Sequence, residues 1–183
     1  MNRDLFYYLM TPLLLVASLL QSTAATRLQV GGVKPDLVLL LVLSGTLLYG
    51  SRAGIVWAFI GGLTLDIFSG GPMGGSSLAL MVATFVIGHG QRTLSRFNVL
   101  VPLGAAMLGT LLYSVTYVMI LSWVESAAQF LALSNAGNAR YNLAFWPTLQ
   151  FIILPALFYN TTLMLFITPL LNRVPERPES MNA

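Results

Sequence analysis

The sequence contains no cysteine and a single histidine, His89. Without thiols there is no disulfide framework and no thiolate metal site, and one histidine cannot build a multi-histidine centre within one chain. Charge is almost as scarce. Only 8% of the 183 residues are Asp, Glu, Lys or Arg, against about 25% in soluble domains. A surface so poor in charge does not stay in water. The net charge of +3 comes from scattered basic residues with no basic run, so nucleic-acid binding has no electrostatic footprint.

What is present is hydrocarbon: 56% of the residues are hydrophobic and the mean hydropathy is +0.79. Six apolar segments stand out, at 5–25, 33–49, 53–68, 76–90, 99–123 and 147–171. They predict an all-α integral membrane protein, a six-transmembrane-helix bundle forming one domain over residues 1–172. The first, fifth and last are long enough to span alone, since a bilayer core of about 30 Å needs about 20 helical residues. The middle three are shorter, so they thin the bilayer or sit shielded inside the bundle. The first segment is not read as a cleaved leader: its apolar run, Leu5 to Leu20, exceeds the usual ~7–15 residues and Asp4 spoils a basic start.

Six spans put both termini on one side. Arg3, Arg52, Arg92, Arg96, Arg173 and Arg177 would lie on that side, and Arg27, Lys34 and Arg140 on the other. The excess of basic residues marks the cytoplasm, so both termini are expected inside, with Arg52, Arg92 and Arg96 as cytoplasmic anchors; Arg92 and Arg96, four apart, would contact anionic lipid or dock a cytoplasmic partner. The outer loop, 124–146, is flanked by the interfacial aromatics Trp123, Tyr141 and Trp146, and Glu125 to Leu133 within it is expected to form a short surface helix. Residues 173–183 are expected to form a disordered cytoplasmic tail.

The third segment runs GIVWAFIGGLTLDIFSGGPMGG. Gly54, Ala58 and Gly62 recur every four residues, with Gly61 beside them. Helices in lipid pack through close backbone approach at small residues, so this helix is expected inside the bundle. Asp66 continues the same ridge, at the helix's outward, C-terminal end, where the macrodipole disfavours a carboxylate. Two compensations are open: backbone N–H groups of the Gly70–Gly75 turn, or an outer cation among Lys34, Arg27 and Arg140. Contact with a partner or ligand is the functional reading of the same carboxylate. Pro35 and Asp36 open the second helix, with Pro35 placed at its first position and Asp36 in the first turn, where the dipole favours it.

Ser76, Ser77 and His89 suggest a hydrolase only superficially. Twelve or thirteen residues of helix separate them by roughly 18–20 Å, whereas a nucleophile and its base approach to about 3 Å. Asn160 follows Pro155 in the last helix. Pro155 is expected to kink that helix, and Asn160 to hydrogen-bond a neighbouring helix or to line a cavity.

Taken in order, Pro35-Asp36-Leu37, the turn between Gly50 and Gly54, GGLTLDIFSGGPMG at 61–74, LPALFYN at 154–160 and TPLL at 168–171 resemble the rod shape-determining MreD family over nearly the whole chain. The resemblance implies a non-enzymatic scaffold in the bacterial inner membrane, without cofactor. It would serve the elongation machinery that lays down side-wall peptidoglycan. Its implied partners are MreC, the MreB cytoskeleton, and RodA with its penicillin-binding transpeptidase partner. The resemblance also implies a helix arrangement like that of the substrate-binding subunits of energy-coupling-factor importers. Asp66, Gly70, Gly71, Pro72 and Gly74 would then shape the outer end of a groove for MreC. The alternative is a membrane subunit that binds a small solute or lipid in an outward cavity beneath residues 68–76.

Overall fold

The computed structural model describes residues 3–23, 34–90, 100–130 and 145–171. All of the regular structure there is helical: α1 (Arg3–Thr23), α2 (Leu37–Tyr49), α3 (Ser51–Ser69), α4 (Gly75–Gly90), α5 (Leu100–Phe130), then α6 (Phe145–Thr148), a π-helical segment (Leu149–Ile153) and α7 (Leu154–Leu171). The last three follow without a break and make one rod. Helices are the expected solution for so apolar a chain, because they satisfy every interior backbone group without water.

Three helical stretches are long and apolar enough to cross a membrane: Ser51–Ser69, Leu100–Ala127 and Leu149–Pro169. The first segment was expected among them and the third was not: among the described residues the apolar part of α1 is only Tyr8–Thr23, whereas α3 runs from Ser51, directly after Gly50, through Ser69. Among the shorter apolar helices, α2 has only 13 residues, or about 20 Å at helical rise. Nine of those 13 residues are buried, from Val38 round to Leu47. A helix apolar on all sides belongs in a core, and α2 is walled in by α1, α3, α4, α5 and α7.

The core takes Met10 and Leu14 from α1, Leu39 and Leu43 from α2, Trp57 from α3, Leu80 from α4, Ala106 from α5 and Met164 from α7. The edge of Trp57 meets the Tyr49 ring at 5.3 Å and 88°, a favourable aromatic geometry. α3 packs on α1, α2 and α4, burying Gly54, Ala58, Gly61 and Gly62 while Val56 and Phe59 face outward. Its inner face is the small one.

Two helix ends and one helix interior bear on the sequence reading. Asp36 is the N-cap of α2, not a first-turn residue: its carboxylate accepts the Leu39 N–H at 3.1 Å, and Pro35 therefore lies ahead of the helix, not at its first position. Capping by a short acidic side chain satisfies an orphan donor that proline cannot. α5 continues to Phe130, past the point where a loop and a separate surface helix were expected. Its Ser122 and Ser126 hydroxyls bond back to carbonyls four residues earlier, so both are satisfied within the helix. At Pro155, where a kink was expected, the structure has a π-helical segment just before it, with the Leu154 N–H bonded to the Leu149 carbonyl. Because the rod is continuous, the missing N–H of Pro155 costs one backbone bond to that preceding turn.

Candidate functional site

α3 ends on Gly70, which is left-handed at φ 68° and returns its N–H to the Asp66 carbonyl at 3.1 Å. Gly74 is also left-handed, at φ 87°, and the N–H of Gly75 just after it closes on the Pro72 carbonyl at 3.0 Å. Residues with a Cβ rarely adopt such angles. The Gly-Gly-Pro-Met-Gly composition is thus the chain's means of reversing direction in five residues.

Asp66 is 1% exposed. Both of its carboxylate oxygens accept the Ser76 N–H, at 3.1 and 3.2 Å. Ser76 stands in the first turn of α4, whose unsatisfied N–H groups carry partial positive charge. The unfavourable dipole at the end of α3 is therefore offset by the favourable one at the start of α4. The donor lies one residue beyond the expected 70–75 turn. Of the outer cations considered, Arg27 and Arg140 lie outside the described residues.

One turn below, a Cβ on Gly62 would collide with the Ser77 Cα and come within 2.8 Å of the Ser76 carbonyl carbon. The two helices are in backbone contact there, and the Ser77 hydroxyl donates to the Phe59 carbonyl at 3.1 Å. Gly54 is closed in by Thr46 and Thr84, and Gly61 by Val38 and Leu14. On the α1 side, Ser18 and Thr64 hydroxyls pair at 2.8 Å.

A second polar knot joins α1, α2, α5 and α7. The Asp36 N–H donates to the Asn160 Oδ1 at 3.0 Å, and the Asn160 Nδ2 donates to the Thr110 Oγ1 at 3.3 Å. Gln21 donates to the Asp36 Oδ1 at 3.0 Å and accepts the Val38 N–H at 3.0 Å. Asn160 is 1% exposed, so these bonds replace water it cannot reach.

Both knots border open space. A cavity of about 330 Å³ is walled by Gln21, Lys34, Asp36, Tyr113, Tyr117 and Asn160, among others. A neighbouring one of about 270 Å³ shares Gln21, Lys34, Tyr113 and Tyr117 and reaches Ser69 and Ser76. The two tyrosine rings stack at 5.9 Å and 15°. The Tyr113 hydroxyl approaches the Ser76 Oγ at 3.5 Å, and a Cβ on Gly71 would lie 2.8 Å from the Tyr117 hydroxyl. Asp36, Asp66 and Asn160, far apart in sequence, thus lie at one end of the bundle, with Asp36 and Asn160 in the wall of the larger cavity.

Gln21, Thr110, Tyr113 and Tyr117 were not singled out from sequence. The available signal was weak: polar groups inside otherwise apolar segments, with the tyrosines four apart on one face of α5. Other candidates do not join this cluster. Arg52 is exposed at the opposite, N-terminal end of α3, and Arg92 and Arg96 lie outside the described residues. His89 ends α4, against the Phe85 ring and carbonyl, with the helix between it and Ser76. Among the described residues no three His, Cys, Asp or Glu side chains group to hold a metal.

A helical membrane protein with a buried carboxylate closing a glycine turn, and a polar hollow beside it, is what these elements define. The chain belongs to the rod shape-determining protein MreD family, whose sequence model matches residues 2–174. No curated protein and no solved structure matches it.

Proposed function

We propose that this chain is a non-enzymatic scaffold of the bacterial elongation complex, that it binds MreC, and that it helps couple peptidoglycan synthesis to the MreB cytoskeleton. RodA and its penicillin-binding transpeptidase partner are the further members of that assembly. Family membership supports a role in rod-shape determination. The observation that carries the rest is the Asp66–Ser76 closure. It fixes from within a turn whose outer side presents Met73, 73% exposed, with Ile67 and Phe68 beside it. A preorganised apolar edge loses little entropy when a partner helix docks.

In this reading all six rods span the inner membrane, with both termini cytoplasmic and the 70–74 turn at the periplasmic rim. MreC, through its transmembrane or juxtamembrane stretch, meets that rim. Affinity purification from rod-shaped cells tests the proposal. The wild-type chain retains MreC, and its depletion rounds the cells. A chain that retains no MreC under mild detergent, in cells whose shape does not respond to depletion, contradicts it.

A further inference from the structure

The 330 Å³ chamber adjoins an apolar groove of about 180 Å³ between α5 and the π-helical segment, and Val118, Thr148 and Ile153 belong to both. The groove continues along Met119 to Trp123, and Trp123, Phe151 and Ile152 are exposed around it. The surface exposed in both is largely apolar, and the chamber adds to it the Lys34 ammonium and the Asp36 carboxylate. A small polar solute leaves the groove empty. A bare hydrocarbon leaves these two charged groups without a matching polar group, which is costly. A molecule with both a polar head and a chain satisfies both.

Charge selects the head. Lys34 is exposed in the chamber wall and Asp36 lines its interior. The side-chain bonds of Asp36, from Gln21 and from the Leu39 N–H, both fall on Oδ1, which leaves Oδ2 as an acceptor. One cation and one carboxylate, two residues apart, complement a head that carries a phosphate and a primary ammonium. A trimethylated ammonium has no N–H to give Asp36, and a glycerol head has no cation. The chamber volume lies at the lower end of the roughly 300–1,000 Å³ usual for small-molecule sites.

We propose that chamber and groove together hold one phospholipid of the ethanolamine class, its phosphate on Lys34, its ammonium on Asp36 and an acyl chain against Val118 and Ile153. The lipid would seal the open end of the bundle as a structural component. The proposal is independent of MreC binding.

The test is native mass spectrometry of the full chain released from nanodiscs made of equal parts phosphatidylethanolamine, phosphatidylglycerol and phosphatidylcholine. One phosphatidylethanolamine per chain should survive, preferred over either competitor by about tenfold. Lys34→Gln, at an exposed position, should lower that retention, and so should Val118→Trp, which fills the shared wall, with helical content unchanged in both. Glycerophosphoethanolamine, the head without chains, should not displace the lipid. No retained lipid, equal retention of all three, retention indifferent to both substitutions, or displacement by the free head would each overturn the proposal. The wild-type preference decides the matter even if a variant fails to fold.

Discussion

At the scale of single residues, Asp66 and Gly62 are two halves of one joint. The carboxyl group holds the first turn of α4 through the Ser76 N–H, and the missing Cβ lets the two backbones meet just below it. Asp66→Ala strands the buried Ser76 N–H, which costs about 1–3 kcal/mol. Asp66→Asn keeps an oxygen in place and should lose less. Thermal unfolding in detergent should rank wild type above Asn and Asn above Ala, with membrane insertion unchanged in all three. For Gly62→Ala the obstacle is Ser77 backbone, which cannot rotate aside, so about 1–3 kcal/mol of overpacking is expected. Gly104→Ala, where nothing lies within 4 Å, is the matched control and should be neutral. Equal melting temperatures for the Gly62 and Gly104 variants would refute the backbone-contact argument.

At the scale of elements, sequence made the glycine helix legible and left the pocket opaque, for physical reasons. The i, i+4 recurrence of Gly54, Ala58 and Gly62 is a local pattern, and in lipid it has few uses other than close packing. The Asp36–Asn160–Thr110 chain depends on residues 124 and 50 positions apart in sequence, and no local period announces such pairings. The start of α2 was misplaced because a side chain decides it, the Asp36 carboxylate that caps the Leu39 N–H. Asn160 is the joint between α7 and the start of α2. Asn160→Leu keeps the branching of the side chain but leaves the Asp36 N–H unpaired, and should destabilise by about 1–3 kcal/mol. Hydrogen exchange should then quicken at Asp36 and the first turn of α2 while the α3–α4 joint keeps its protection. Uniform acceleration across all helices would mean that the knot is not a local clasp.

At the scale of the whole molecule, the two joints lie at the same end, and the proposed orientation makes that end periplasmic. A cysteine placed at Asn138 should react with a membrane-impermeant maleimide in cells whose outer membrane has been permeabilised, whereas one at Ser51, at the opposite end of α3, should react only after the inner membrane is opened. The reverse pattern would invert the topology and move the 70–74 turn out of reach of a periplasmic partner. Given the proposed orientation, function separates from fold by comparing two kinds of lesion at the same rim. Gly62→Leu acts on the joint itself and should lower melting temperature and recovery of MreC together. Met73→Asp acts on an exposed side chain that the fold does not use, so it should leave melting unchanged and still reduce MreC recovery and cell elongation. A charge at that position must be desolvated when an apolar helix covers it, at a cost of several kcal/mol. If Met73→Asp cells remain rods and MreC is recovered at wild-type yield, the apolar rim is not the docking surface, however well Asp66 holds it in shape.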